Sequence, residues 1–249
     1  MLRLWMLSLA VLAGWGGLVG SVAVQAQEQS PAEQQLTAAA DSQQYAYLLF
    51  HRRDDEATRA MQATITAQVE KSAGKTVMVP VTIGNASEAR LVKRFDATRM
   101  PMPCVMGIAP NGAVTGVYPL KVDSTQLERA VLTPKYSEMV KALQEQKIVL
   151  VCMHPAAGGT TPTGIAQFEQ TPAFKGRTHS IEVQANEAAE QRFYERMRVS
   201  PDLTATSLVV FAPPGVFVGK FDELATGAQI AQQVHASGRC NCQECQQRR

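Results

Sequence analysis

Three cysteines crowd into six residues near the C-terminus, Cys240-Asn-Cys242-Gln-Glu-Cys245, with His235 five residues ahead of the first. The His-x4-Cys-x-Cys-x2-Cys set offers four soft ligands, a donor set suited to Zn2+ or Cu(I). The Cys242-x-x-Cys245 pair could instead oxidise as a dithiol and leave Cys240 for an intermolecular bridge, or the tail could close an inert local disulfide. No helix follows whose N-terminus would lower a thiol pKa, which weakens a catalytic role. A second sulfur-bearing stretch, Met100-x-Met102-x-Cys104-x-Met106, puts four sulfurs on one side of an extended strand, and the prolines at 101 and 103 keep it extended. Soft ligands there would select Cu(I), whereas methionines that fill core gaps need no metal.

Two histidines, His51 and His154, each close a short apolar run, where a neutral imidazole could act as an acid or base. Asp54 and Asp55 lie near the first, but neither histidine has a nucleophile at a fixed spacing. The stretch Gly158-Gly-Thr-Thr-Pro-Thr-Gly164 is glycine-rich but lacks the lysine of a phosphate-binding loop. Asn85-Ala-Ser87 fits an N-glycosylation acceptor, and Glu190–Arg198 reads as a solvated charged helix.

Positioning these groups requires a framework, and the chain repeats one twice. In residues 45–133, strand YAYLLF (45–50) leads to a helix over 54–73, opened by acidic residues and stopped by Gly74. Strand 77–83 follows, where Pro80 predicts an edge or bulge. A helix over 86–95 comes next, then strand 105–109, a Pro110-Asn111-Gly112 turn, strand 114–118 and a helix over 124–132. Residues 134–236 repeat the order with strand 148–153, a helical piece 165–174, strand 179–183 and helix 187–197. They close with strands 207–211 and 216–221 around Pro213-Pro214-Gly215 and a helix at 228–235. This order predicts two α/β sandwiches with mixed central sheets.

Val105–Gly112 after Pro103, and Thr206–Gly215 in the second half, resemble the thioredoxin fold superfamily. The resemblance implies two tandem thioredoxin-like α/β sandwich domains, with Pro103 at the superfamily's cis-proline position and Thr206 at its counterpart. It places Cys104 beside the substrate-contacting position, where an exposed thiol would be reactive. It also implies a Cys-x-x-Cys just after the first core strand, yet the matching stretches, His51–Thr58 and His154–Thr161, contain no cysteine. Dithiol exchange at that position is therefore excluded, and Cys152, inside a strand, is expected to be buried. Tandems of this kind look like the non-catalytic domains of disulfide isomerases, which implies partner binding around Pro103, Cys104, His51 and His154.

Residues 1–26 read as an export signal: Arg3, an uncharged apolar run over 4–24, and small residues before Gln27. Left uncut, the segment would be a membrane anchor; cut, it implies a periplasmic or secreted protein. Residues 27–44 are expected to form a mobile spacer, and 237–249 the cysteine-rich tail. The whole chain has 24 basic and 22 acidic residues and 6% aromatics, which excludes an electrostatic or base-stacking case for nucleic acid. The expected function is an exported, non-catalytic module that binds or scaffolds a polypeptide. The alternative is a thiol-disulfide carrier or a Zn/Cu binder acting through Cys240, Cys242, Cys245 and His235.

Overall fold

The structure is a computed structural model that describes residues 29–200 and 202–239. The expected export signal and the three tail cysteines lie outside the described residues. The first unit runs α1 (Pro31–Asp41), β1 (Tyr45–His51), α2 (Glu56–Lys71), β2 (Thr76–Thr82), α3 (Ala89–Arg94), β3 (Cys104–Ile108), β4 (Val114–Pro119) and α4 (Ser124–Ala130). The second repeats it with α5 (Pro134–Gln144), β5 (Ile148–His154), α6 (Thr163–Gln170), β6 (Thr178–Gln184), α7 (Gln191–Met197), β7 (Ser207–Ala212), β8 (Val216–Phe221) and α8 (Gly227–Ala236).

Each unit holds one four-stranded sheet, ordered β2-β1-β3-β4 and β6-β5-β7-β8. In both, the first two strands are parallel and the other two pairings antiparallel. The central strands β1, β3, β5 and β7 are continuous apolar runs because helices cover both faces of the sheet. On one face Leu48, Phe50, Val79 and Met106 pack against α1 and α3; on the other Tyr47, Leu49 and Val105 meet Met61 and Ile65 of α2 and Leu127 of α4. The second unit has the same three layers, with α5 and α7 on one face and α6 and α8 on the other. Pro80 is exposed on β2, an edge strand, as its missing amide requires. Among the described residues no helix is long and apolar enough to cross a membrane.

Residues 31–41, read from sequence as part of a mobile spacer, form a helix instead. Ser30 accepts from the Glu33 amide and Glu33 reaches back to the Ser30 amide, a capping box with Pro31 in the first turn. Ala32, Leu36 and Ala39 then dock on the sheet at helical spacing. Small residues carry this face, so its periodicity does not stand out as a hydrophobic stripe. Helix α5, also unforeseen, lies over the first unit's hairpin as well as its own sheet. The Gln144 side chain accepts from the Val114 amide (3.0 Å) and donates to its carbonyl (2.7 Å), in the manner of a neighbouring strand. Val140 packs onto Tyr45, Ala109 and Ala113 beside it.

Candidate functional site

The ends of β1 and β5 are where a thioredoxin-like sheet would present a reactive pair, and the two halves meet that position differently. His51 and His154 are equivalent, 103 residues apart, each the last residue of its central strand. Pro103 and Thr206 are equivalent too, each immediately before the strand that pairs antiparallel with it. In the second half the His154 ring Nδ1 lies 3.1 Å from Thr206 Oγ1, and both residues are buried, at 4% and 2% exposure. The Tyr194 hydroxyl lies 3.1 Å from both the His154 and Val183 carbonyl oxygens and shares its one proton between them, tying the ends of β5 and β6 together. Gly159 closes over this pair, and a Cβ there would come within 2.5 Å of Thr206 Oγ1 and 2.9 Å of His154 Nδ1. The glycine-rich stretch after β5 is therefore a cover that needs glycine at this one place.

In the first half Pro103 offers no side-chain partner, and His51 Nδ1 is buried without a hydrogen bond. Its Nε2 lies 3.4 Å from Thr82 Oγ1. The nearby acids serve other ends. Asp55 caps α2 by accepting from the Thr58 amide, which holds its carboxyl below the usual range, and Asp54 pairs with Arg59. Neither aspartate forms a hydrogen bond to His51, so an acid–base relay does not assemble there.

The Met102–Pro103 peptide is cis, as the thioredoxin resemblance implies, and the Pro103 side chain is buried. Cys104 has no exposed surface, so it is not the accessible thiol considered above; burial pushes its pKa up to about 11. Burial likewise pushes Cys152 up to about 12. Thiols so disposed are inert, because the nucleophile is the thiolate. Met106 is a core residue, Met100 and Met102 pack against the same α1–α3 core, and Cys104 Sγ lies 3.8 Å from Met100 Sδ. His235 sits in the last turn of α8 with its ring 5.3 Å from that of Phe174. Among the described residues no three of His, Cys, Asp and Glu come together as a metal site. Asn85 and Glu190, noted in sequence for glycosylation and a charged helix, act locally: Asn85 caps the turn Ala86–Glu88 and Glu190 is buried.

One feature escaped sequence reading altogether. Glu88 and Glu190, the third residues of equivalent turns, are buried and each binds the start of its unit's first helix. Glu88 accepts from Ser30 Oγ (2.6 Å) and the Ala32 amide (3.3 Å); Glu190 accepts from the Lys135 amide (2.9 Å). Glu190 Oε2 has no well-formed hydrogen bond, although the nearby Thr133 hydroxyl favours its charged form. Burial raises the Glu190 pKa, against the opposing pull of Thr133 and the Lys135 amide. The native state then holds this proton where the unfolded chain has released it. The contribution is full below the ordinary glutamate pKa and is lost as pH rises through the elevated native value. Glu190→Gln is expected to flatten that decline, so urea midpoints of variant and parent should diverge from pH 4 to pH 7 in the variant's favour. Parallel pH profiles would count against it.

No protein-family model matches the chain, and comparison with curated proteins gives no match. Among solved structures it is similar to oxidised thioredoxin O2 from Arabidopsis thaliana, at 16% identity and TM-score 0.33, over 41% of this chain and 85% of that one. A disulphide isomerase from Xylella fastidiosa Temecula1 is 17% identical with TM-score 0.31, over 46% and 94% of the two chains. The first two thioredoxin domains of Saccharomyces cerevisiae Eps1p match 82% of this chain and 96% of theirs, at 10% identity and TM-score 0.31. Scores this low add nothing to the argument from topology. Strand order, strand directions and the helices on both faces make the chain two thioredoxin-like domains in tandem.

Proposed function

We propose that this protein is an exported, non-catalytic tandem of thioredoxin-like domains that binds a polypeptide. The observation that supports this most is chemical. The residues that end and follow β1 and β5 are His-Arg-Arg-Asp-Asp and His-Pro-Ala-Ala-Gly-Gly, and the two cysteines inside the domains are fully buried with raised pKa values. A thioredoxin-like scaffold without a thiolate keeps its capacity to hold an extended chain and loses the means to exchange a disulfide with it. Pro103, Cys104 and His154 are buried, so contact at those positions would come through backbone and neighbours such as Met102 and His51.

A second reading is carried by the tail sequence, whose Cys240, Cys242, Cys245 and nearby His235 suit a dithiol carrier or a Zn2+ or Cu(I) ligand set. One variant, with all three tail cysteines changed to serine, separates the readings. Neither it nor the parent is expected to accelerate insulin reduction by dithiothreitol, and both are expected to bind an unfolded, carbamidomethylated polypeptide saturably. Reduction by the parent alone would install the carrier reading. A native mass excess confined to the parent would install the metal reading.

A further inference from the structure

The linker Val131–Thr133 runs along the floor of a groove between the domains. Two cavities form it. One, of about 750 Å3, reaches from Lys75 and Asn111 to Arg192. The other, of about 300 Å3, reaches from Thr133 to Arg129 and Arg196. Val131, Leu132, Thr133 and Arg192 border both, so the two are continuous around the linker. Domain junctions of this kind are common places for ligand sites.

The groove's cations lack anionic partners. Lys75, Arg129, Arg192 and Arg196 are exposed, and none forms a salt bridge among the described residues. Arg196 only stacks on the Tyr136 ring (5.1 Å) and donates to its hydroxyl at 3.4 Å. The acids in the groove do not answer them. Glu138 is held by His179 (2.8 Å) and Lys135 (3.8 Å), while Glu128 and Glu195 border the smaller cavity without reaching an arginine.

Helix α5 begins here, but Glu190 already accepts from its Lys135 amide (2.9 Å), so the field of the groove comes from the side chains. The groove thus presents guanidinium forks and an ammonium group, able to donate to carboxylate oxygens.

We propose that this groove, apart from Pro103 and His51, is a second docking place for the polypeptide partner, and that the segment it takes is acidic. The occupant is an extended chain rather than a compact anion because the cations are strung along two joined cavities, with Lys75 at one end and Arg129 and Arg196 at the other. This rests on the polypeptide-binding reading above.

The test uses the full chain and two fluorescein-labelled peptides, one alternating Glu and Asp with Gly, the other carrying Gln and Asn in their place. Fluorescence polarisation is expected to show the acidic peptide binding at least about tenfold tighter, and weakening as salt rises. Arg129→Gln with Arg192→Gln is expected to remove that preference, and both side chains are exposed, so the fold should survive the change. The unfolded carbamidomethylated polypeptide distinguishes the failures. If it binds parent and variant alike and the acidic peptide has no advantage, the groove assignment falls and the binding reading stands. If no polypeptide binds saturably, both fall.

Discussion

Gly164→Ala should destabilise the second domain while leaving the first unchanged. Gly164 is the second residue of α6, and a Cβ there would lie 2.0 Å from the Ala225 carbonyl oxygen and 2.9 Å from the backbone carbons of Ala225 and Thr226. Those atoms are backbone at the entry to α8, so no side chain can swing aside. The contact is reciprocal: a Cβ on Gly227, the first residue of α8, would meet Gln167 Cβ and the Phe168 amide nitrogen at 2.7 Å each. The Gly227 amide also donates to Gln167 Oε1 at 3.1 Å, which fixes the approach. Two terms oppose one another. Alanine improves on glycine by about 1 kcal/mol in a helix interior, whereas forcing the helices apart costs about 3 kcal/mol. The clash wins, and Phe168, Ile230 and Val234 would lose their packing beneath it. Hydrogen exchange read by mass spectrometry should show β5 and β7 exchanging on the order of tenfold or more faster, with β1 and β3 unchanged. Unchanged protection in β5 would show that the turn at Ala225–Thr226 yields more easily than its geometry implies.

The fold was legible where burial is complete and opaque where it is partial. Runs such as IVLVCM left little choice but a central strand, and a Pro-Asn-Gly turn between apolar runs announced the first hairpin. Helices α1 and α5 gave no such signal. The first uses alanines at its docking positions, and the second spreads apolar residues around its circumference because it faces both its own sheet and the other domain's hairpin. Ser30-Pro-Ala-Glu33 was nevertheless a readable helix start. At the site, the paired ends His51 and His154 stood out, but the Thr206 partner of His154 is 52 residues away, and nothing local indicates that pairing. Cys104 shows the converse. Its position beside Pro103 followed from sequence, while its burial comes from tertiary packing, with Met100 Sδ 3.8 Å from its sulfur.

The duplicated glutamates point to the second large effect, because in the first domain α1 is held chiefly through Glu88. Glu88→Ala is expected to release α1 from the sheet. The carboxylate accepts from the Ser30 hydroxyl and the Ala32 amide inside the protein at 5% exposure, and alanine would leave both donors buried and unmatched. At about 1–3 kcal/mol for each unmatched donor, the loss is about 3 kcal/mol. The other tether, the ion pair of Glu33 and Arg90, involves an arginine side chain that is 47% exposed and contributes under about 1 kcal/mol. The helix has little else to hold it, since Ala32 and Ala39 bury small surfaces and only Leu36 adds a large one. Amides of 31–41 should therefore approach unprotected exchange, and the face of Leu48 and Phe50 should begin to bind a hydrophobic dye. Glu88→Gln separates charge from geometry: its amide oxygen can still accept from Ala32 and its nitrogen can donate to a rotated Ser30 hydroxyl, so it should retain most of the protection. Equal losses in the two variants would mean that the charge itself anchors the helix. No loss in either would mean that Leu36 and the capping box suffice, and that the buried glutamate is a passenger of the duplication.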